Sequence, residues 1–275
     1  MVKFLADSSC DLKEYPGICF ETVPLSISTD ERNYIDTPDL DVHEVLDYMA
    51  SYHHRSFTAC PATQLWLDAF EGADEIYVVT ITSGLSGTYS GANVAKDMYL
   101  ADHPDTKICV VDSLATGPGE VLLLEKMVEW KNEGKTFEFI SEEIINYRNS
   151  TRLFFGLASL HNLAQNGRVP KIVASAIGIM NIRILGTASS TGTIDPIAKC
   201  RGDKKILPKL LEEIKNAGYH GGKIRICHIE NESFANQIIE ALRQEYGKID
   251  INCIPARGLC SYYAERGGII LGCEC

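Results

Sequence analysis

The sequence predicts an α/β protein with two α/β domains, the first built on a doubly wound, mainly parallel sheet and the second on a mixed sheet with helices. In the first half, apolar β-branched runs alternate with helical repeats, and polar turns such as Asp112 and Ser113 follow the runs. In the second half, Ser190, Thr191 and Gly192 separate two extended runs, which indicates an antiparallel hairpin. The chain has 275 residues, 45% of them hydrophobic, and is long enough for two cores.

We place the first domain at residues 1–150. Helices are assigned where apolar residues recur every three or four positions, as at Val42, Val45 and Leu46, and strands where short apolar runs are rich in β-branched residues. The predicted elements are strand 2–6, extended segment 17–28, helix 41–54, loop 56–63, helix 64–70, strand 76–81, helix 88–96, strand 107–111, helix 120–130 and helix 141–148. Strands and helices that alternate in this way form a doubly wound sheet.

The second domain is placed at residues 151–275. Its predicted elements are strand 152–158, helices 159–165 and 170–180, hairpin strands 183–189 and 193–197, helix 204–216, strand 223–229, helix 234–246, and strands 249–255 and 268–273. No low-complexity linker separates the two halves. They are therefore expected to pack tightly against each other.

Composition excludes several classes of partner. The formal charge is −11 and Lys and Arg do not cluster, so the sequence predicts no nucleic-acid partner. No apolar run approaches the roughly 18 residues that cross a bilayer, so no stable membrane insertion is expected. A charge occurs too early in residues 1–7 for a signal peptide, which predicts a cytoplasmic protein.

The ten cysteines are scattered and form no CxxC pair, so free thiols are predicted rather than disulfides. Cys273 and Cys275 would point the same way in an extended strand, but the sequence offers no second ligand pair beside them. We therefore predict neither a metal site nor a cofactor.

Residues 75–95 carry the candidate binding site. Residues 76–81 form an uncharged apolar run, as expected of an internal parallel strand. The turn that follows contains Gly84, Ser86 and Gly87, and a helical pattern starts at Thr88. Free N–H groups at such a strand end suit an anionic head group, although Ser86 could also be no more than a helix cap.

The order of short motifs along residues 5–205 resembles that of the DegV family. The motifs are Asp7-Ser8-x-x-Asp11-Leu12, Pro24-Leu25, Thr58-x-x-Pro61, Ser83-Gly84-Leu85-Ser86-Gly87-Thr88-Tyr89, Asp112-Ser113, Asn166-Gly167-Arg168, Asn181-Ile182-Arg183 and Arg201-Gly202. The resemblance implies a two-domain α/β carrier of long-chain fatty acids. It also implies a partner, a separate fatty acid kinase that phosphorylates the carboxylate of the bound acyl chain.

The resemblance implies the site residues as well. The family's threonine and serine that hold the carboxylate match Thr58 and Ser86, with Gly87 and Thr88 completing the turn. The bound fatty acid is the expected ligand, held in an apolar tunnel.

Two arginines match the family's motifs, and one position departs from the family's pattern. The family's motif arginines match Arg168 and Arg201, which the resemblance links to the surface that faces the kinase. The family usually ends in an AHxGPG-like turn, but this chain has Glu265 after Ala264 where the histidine is usual. A glutamate there would repel a carboxylate or phosphate.

Two alternatives remain open at this stage. A serine esterase would use Ser86 as its nucleophile, but the turn lacks the final glycine of a GxSxG elbow, and nothing places His161 or His228 beside Ser86. A binder of phosphate or another small anion is the second alternative, and the absence of GxGxxG or a Walker lysine argues against a nucleotide.

Overall fold

A computed structural model describes residues 1–170 and 182–275. The first half contains β1 (Val2–Asp7), β2 (Phe20–Val23), β3 (Ser26–Ser28), β4 (Asn33–Ile35), α1 (Val42–Ser51), β5 (Phe57–Ala59), α2 (Thr63–Phe70), β6 (Glu75–Thr80), α3 (Thr88–Asp102), β7 (Lys107–Asp112), α4 (Pro118–Asn132) and α5 (Phe137–Asn149). The second half contains β8 (Thr151–Leu157), α6 (His161–Gln165), β9 (Ile182–Ala188), β10 (Ile194–Arg201), α7 (Asp203–Asn216), β11 (Ile224–His228), α8 (Glu232–Tyr246), β12 (Ile251–Pro255), α9 (Gly258–Ala264) and β13 (Ile269–Glu274). Apart from Pro170, the predicted helix 170–180 lies outside the described residues.

The predicted parallel sheet is confirmed, with strand order β2-β1-β6-β7 and every pair parallel. The strand predicted at residues 76–81 is β6, which is internal. Apolar side chains of α2 and α3 cover one face of the sheet, and those of α4 and α5 cover the other. The carboxyl ends of β1, β6 and β7 therefore meet at one edge, where ligand sites of such sheets lie.

A second, three-stranded antiparallel sheet of order β4-β3-β5 was not predicted. The extended segment 17–28 divides at Pro24 into β2 and β3, which belong to different sheets. The predicted loop 56–63 contains β5, and Thr58 lies in that strand opposite Ile27. Strands of three residues that pair across about 30 positions leave no local periodicity to detect.

The predicted mixed sheet of the second half is also confirmed. Its order is β10-β9-β8-β13-β11-β12, and only β11 and β12 pair in parallel. The hairpin predicted around Gly192 is the antiparallel pair β9–β10. Side chains of α7 and α8 cover one face of this sheet.

The two halves share their interior. α4 contacts both β6 of the parallel sheet and β13 of the mixed sheet. Across this junction Arg225 on β11 donates Nε and Nη2 to the two carboxylate oxygens of Glu125 on α4, each at 2.8 Å. The unpredicted helix α9 places Leu259 and Tyr262 in one apolar cluster with Ile81 of the first half. The domain boundary at residue 150 stays a prediction. Apolar side chains from both sides of it pack into one core.

Among the described helices, the largest error in a predicted start is at α5, and the other predicted starts lie within two residues of the observed ones. Helix α5 begins at Phe137 rather than at residue 141, because the Thr136 hydroxyl accepts a hydrogen bond from the Phe139 N–H (3.2 Å) and caps the helix. α4 begins at Pro118, where the missing proline N–H costs no helical hydrogen bond.

Candidate functional site

A cavity of about 800 Å³, including the part open to solvent, lies between the mixed sheet and the polar turn that follows β6. It has elements of both halves in its wall. Among the described residues, the lining consists of Leu25, Thr58, Ile81, Thr82, Leu85, Ser86, Ala115, Thr116, Leu153, Phe155, Leu157, Leu163, Arg168, Ala188, Gly192, Thr193, Ile194, Leu259, Cys260, Tyr263, Ala264 and Ile270.

Most of this wall is apolar because of strand periodicity. Leu153, Phe155 and Leu157 alternate along β8, so all three side chains project from the same face of the mixed sheet. Ile270 from β13 and Ile194 from β10 extend the surface on either side. The chemistry of this wall therefore suits an apolar ligand.

The β9–β10 hairpin closes one side of the cavity by approaching the β6 turn closely at two glycines. Gly192 has φ +72°, and a Cβ there would lie 1.9 Å from Thr82 Oγ1. A Cβ on Gly84 would lie 2.6 Å from the Thr191 carbonyl oxygen. Only glycine at both positions permits this contact between the two halves.

Polar groups cluster at one end of the cavity. The Thr58 and Tyr263 hydroxyls lie 2.7 Å apart, and the Arg168 guanidinium carbon lies 6.0 Å from the centre of the Tyr263 ring. Leu85 is the residue before Ser86, and its carbonyl oxygen accepts a hydrogen bond from Arg168 Nε at 3.1 Å. These contacts join side chains from β5, the segment after α6 and α9 with a backbone carbonyl of the β6 turn.

Tyr263 is the site residue that the sequence did not reveal, since α9 itself was not predicted. Burial raises the pKa of its phenol, while the hydrogen bond from Thr58 and the charge of Arg168 lower it. The net shift is upward, so near neutral pH the hydroxyl keeps its proton and can donate a hydrogen bond to an anion.

Three of the predicted residues line the cavity and three others do not. Thr58, Ser86 and Arg168 line the cavity. Thr88 is buried behind Ser86, with the two hydroxyl oxygens 2.8 Å apart, so it positions Ser86 rather than forming the wall. Gly87 caps α3 and is exposed, and Arg201 is exposed at the end of β10; neither lines the cavity.

The turn offers hydroxyls rather than the free N–H groups that the sequence suggested. The backbone N–H groups of Leu85 and Ser86 both donate to the Thr82 carbonyl oxygen at 3.2 Å. Those of Ser83 and Gly84 donate to Asp112 Oδ1 and Thr82 Oγ1, each at 3.0 Å. Four consecutive donors are thus occupied within the protein, which weakens the case for a small-anion nest at this turn.

Comparison with known proteins places this chain in a family. The model of the DegV family of uncharacterised proteins matches residues 1–271. The chain belongs to the DegV family. A DegV domain-containing protein of Streptococcus pneumoniae strain R6 is 42% identical over 277 residues, a match that covers 99% of this chain and 98% of the relative.

Solved DegV structures share the fold over nearly the whole chain. A DegV family protein from Eubacterium eligens, loaded with heptadecanoic acid, matches with a TM-score of 0.98 and 52% identity, covering 100% of this chain and 99% of that one. The fatty acid kinase (Fak) B3 protein of Streptococcus pneumoniae, loaded with linoleic acid, matches with a TM-score of 0.97 and 41% identity, covering 99% of each chain.

Glu265, where the resemblance to the family led us to expect a histidine, is not among the residues that line the cavity. Its Oε1 accepts a hydrogen bond from the Asn162 N–H at the start of α6 (3.2 Å). It lines a separate pocket together with Tyr262 and Ser56. Because the Glu265 carboxylate bonds to α6 instead, this arrangement does not produce the expected repulsion between Glu265 and a bound carboxylate.

No histidine of the described residues contacts Ser86. Its hydroxyl bonds to Thr88, while the His228 ring accepts from the Asn231 N–H at 3.3 Å and His161 is exposed. Residues 171–181, which the structure does not describe, contain no histidine, aspartate or glutamate. Among the described residues, Ser86 as a nucleophile would therefore lack a histidine base.

Within residues 1–170 and 182–275, no group of three or more His, Cys, Asp or Glu side chains is arranged to hold a metal ion. In the same part of the chain, none of the helices combines the length and the apolar character that crossing a bilayer demands.

Proposed function

We propose that this DegV protein binds a long-chain fatty acid, with the acyl chain in the apolar cavity and the carboxylate at its polar end. The observation that supports the proposal is the cavity itself, whose wall is apolar along Leu153, Phe155 and Leu157 and also includes Thr58, Ser86 and Tyr263. The fatty acids named for the two similar solved structures support the choice of ligand.

Simple energetics assign different roles to the two ends. Burying about 14 methylenes at roughly 0.8 kcal/mol each contributes on the order of 11 kcal/mol. A hydrogen bond to a charged carboxylate contributes about 1.5 to 3 kcal/mol. The acyl chain therefore supplies most of the affinity, and the hydroxyls with Arg168 fix where the carboxylate lies.

We also propose that the protein presents the carboxylate to a separate fatty acid kinase, which forms an acyl phosphate. Gly87 and Ser83 are exposed beside the half-buried Ser86, so the polar end of the cavity lies next to the protein surface. The name of the similar Fak B3 protein supports a kinase system of this type.

Mass spectrometry of lipid extracted from the purified protein tests the binding proposal. We expect a long-chain fatty acid at close to one molecule per chain. Protein that carries none and takes up none when incubated with oleate would contradict it.

A paired assay of Ser86→Ala separates binding from esterase activity. As a hydrogen-bond donor, Ser86 should contribute about 1 to 3 kcal/mol to fatty-acid affinity, and wild type should hydrolyse short-chain esters no faster than background. Ester turnover that disappears in Ser86→Ala would favour the hydrolase instead.

A further inference from the structure

Two thiols lie together on the side of β13 that faces away from the lipid cavity. The Sγ atoms of Cys273 and Cys275 are 3.5 Å apart. Residues two apart on a strand project to the same face, and Cys273 belongs to the apolar cluster beneath α7 and α8. Ile270, three positions earlier, projects to the opposite face and lines the lipid cavity.

The two sulfurs have different surroundings. Cys273 is fully buried, whereas Cys275 is partly exposed. The hydrogen bond from Cys273 lowers the pKa of the Cys275 thiol, and the positive charge of Arg152 lowers it further against the effect of partial burial. Cys275 is thus the accessible sulfur with more thiolate character, and Cys273 stands behind it.

The backbone around the pair is anchored on both sides. Between the cysteines, Glu274 accepts hydrogen bonds from the Tyr147 hydroxyl at 2.5 Å and from the Lys223 N–H at 2.7 Å. The Cys275 N–H donates to the Ser150 carbonyl oxygen at 2.7 Å. A disulfide of about 2.05 Å requires the sulfurs to approach by roughly 1.5 Å and the Cβ atoms to come within about 4.5 Å. Cβ atoms two residues apart on an extended strand are about 6.6 Å apart. Cys275 lies one residue beyond β13, so closing the disulfide breaks its hydrogen bond to Ser150 and moves the end of the chain.

We propose that Cys273 and Cys275 form a peroxide-sensitive dithiol that closes reversibly to an intramolecular disulfide. The Cys275 thiolate attacks the O–O bond of a hydroperoxide, which releases an alcohol or water and leaves a sulfenic acid on Cys275. The Cys273 thiol then attacks that sulfur, the S–S bond forms and water leaves. Two thiols are oxidised by two electrons and one hydroperoxide is reduced.

The other cysteines provide internal comparisons. Cys19 and Cys60 are exposed, and neither makes a thiol–thiol contact within the described residues. Cys10, Cys227 and Cys260 are buried, and burial raises the pKa of each thiol well above its usual value. If exposure alone decided reactivity, Cys19 and Cys60 would be oxidised first. We expect the proposed dithiol to be oxidised before these exposed cysteines and before the buried ones.

The experiment uses the reduced, folded, full-length protein treated with increasing hydrogen peroxide, then unfolded and labelled with N-ethylmaleimide. Trypsin cleavage after Arg266 releases peptide 267–275, whose only cysteines are Cys273 and Cys275. We expect this peptide to lose two hydrogen atoms and both labels at peroxide doses that leave Cys19 and Cys60 labelled. Dithiothreitol should restore both labels.

Single variants distinguish the roles of the two sulfurs. Cys275→Ser should leave Cys273 labelled, and Cys273→Ser should give a sulfenic acid on Cys275 that dimedone traps. A wild-type peptide that keeps both labels while Cys19 and Cys60 oxidise would overturn the proposal. So would identical oxidation of the peptide when the protein is treated in guanidinium chloride, since the folded arrangement would then contribute nothing.

Discussion

At the scale of single residues, the polar end of the cavity depends on hydroxyl groups that hold each other in place. The hydroxyl oxygens of Thr58 and Tyr263 are 2.7 Å apart, and those of Ser86 and Thr88 are 2.8 Å apart. Each pair orients a donor before any ligand arrives, which reduces the side-chain entropy that binding would otherwise cost.

Replacing Tyr263 with Phe should weaken fatty-acid affinity by about 1 to 3 kcal/mol, because a donor to the carboxylate is lost while the ring remains. Tyr262→Phe is the matched control. It removes the neighbouring hydroxyl, which bonds to Ser56 (2.6 Å) and Asn166 (2.9 Å) outside the lipid cavity. Titration of both variants with a fluorescent fatty acid checks this prediction, and an equal loss in the two would refute it.

The two motif arginines should behave differently. Arg168 lines the cavity and is held by the Leu85 and Asn166 carbonyl oxygens, whereas Arg201 is exposed. Arg168→Ala should weaken fatty-acid binding by about 1.5 to 3 kcal/mol, the range for a hydrogen bond to a charged group. Arg201→Ala should leave binding unchanged.

A purified fatty acid kinase provides the second measurement. With lipid saturating, Arg201→Ala should lower acyl-phosphate formation if it faces the kinase, as the family resemblance implies. Unchanged phosphorylation by saturated Arg201→Ala would remove this residue from the partner surface.

At the scale of elements, the β9–β10 hairpin and the β6 turn form one wall because glycines let them approach closely. Gly192 is the point of closest approach, since an added Cβ would lie 1.9 Å from Thr82 Oγ1 and 3.0 Å from the Leu114 Cα. The lipid cavity therefore depends on how the hairpin of one half sits on the turn of the other.

Gly192→Ala should move the hairpin and lower both thermal stability and fatty-acid retention. Gly134→Ala serves as the control, because Gly134 has a similar φ of +79° with nothing within 4 Å of an added Cβ. Left-handed strain alone costs about 1 to 2 kcal/mol, and the clash at Gly192 should add about 1 to 3 kcal/mol. Melting temperatures measured with and without lipid report the stability and the lipid retention of each variant. Equal losses in Gly192→Ala and Gly134→Ala would show that the clash has no effect.

At the scale of the whole molecule, buried carboxyl groups lie where the two halves meet. Burial raises the pKa of Asp7 to about 6 and that of Asp11 to about 7, from a usual value of 3.8. Asp36 and Glu120 are raised for the same principal reason, and Arg257 lies buried among them. The folded protein thus retains protons that the unfolded chain releases.

The contribution of these buried carboxyl groups to stability therefore falls as pH rises. Asp11 is protonated in both states below about pH 4, and between there and about pH 7 only the unfolded chain ionises, which favours unfolding. Asp11→Asn keeps an acceptor for the Arg257 N–H, which donates to Oδ1 at 2.7 Å, and tolerates the left-handed φ of 65°.

Asp11→Asn should therefore raise the free energy of unfolding by about 1 to 4 kcal/mol at about pH 8 and by little at about pH 4, the difference following from 1.36 kcal/mol per pKa unit. Urea denaturation at several pH values measures it. Asp105→Asn changes an exposed carboxylate and serves as the control. A uniform shift at all pH values would mean that the effect of Asp11 is not electrostatic.

The sequence by itself determined the order of most helices and strands, because hydrophobic periodicity is a local property. Strand β6, the start of α3 at Thr88 and the β9–β10 hairpin were predicted close to where they lie. The motif order also identified Thr58, Ser86 and Arg168, all of which line the cavity.

The tertiary structure alone decided what these residues face. Thr58 meets Tyr263 across 205 positions of sequence, through a short strand and a short helix that carry no detectable repeat. It also turned Glu265 toward α6 and used the N–H groups of the β6 turn internally. Such contacts depend on which surfaces pack together, and the free energy of that packing comes from the whole core rather than from any local segment.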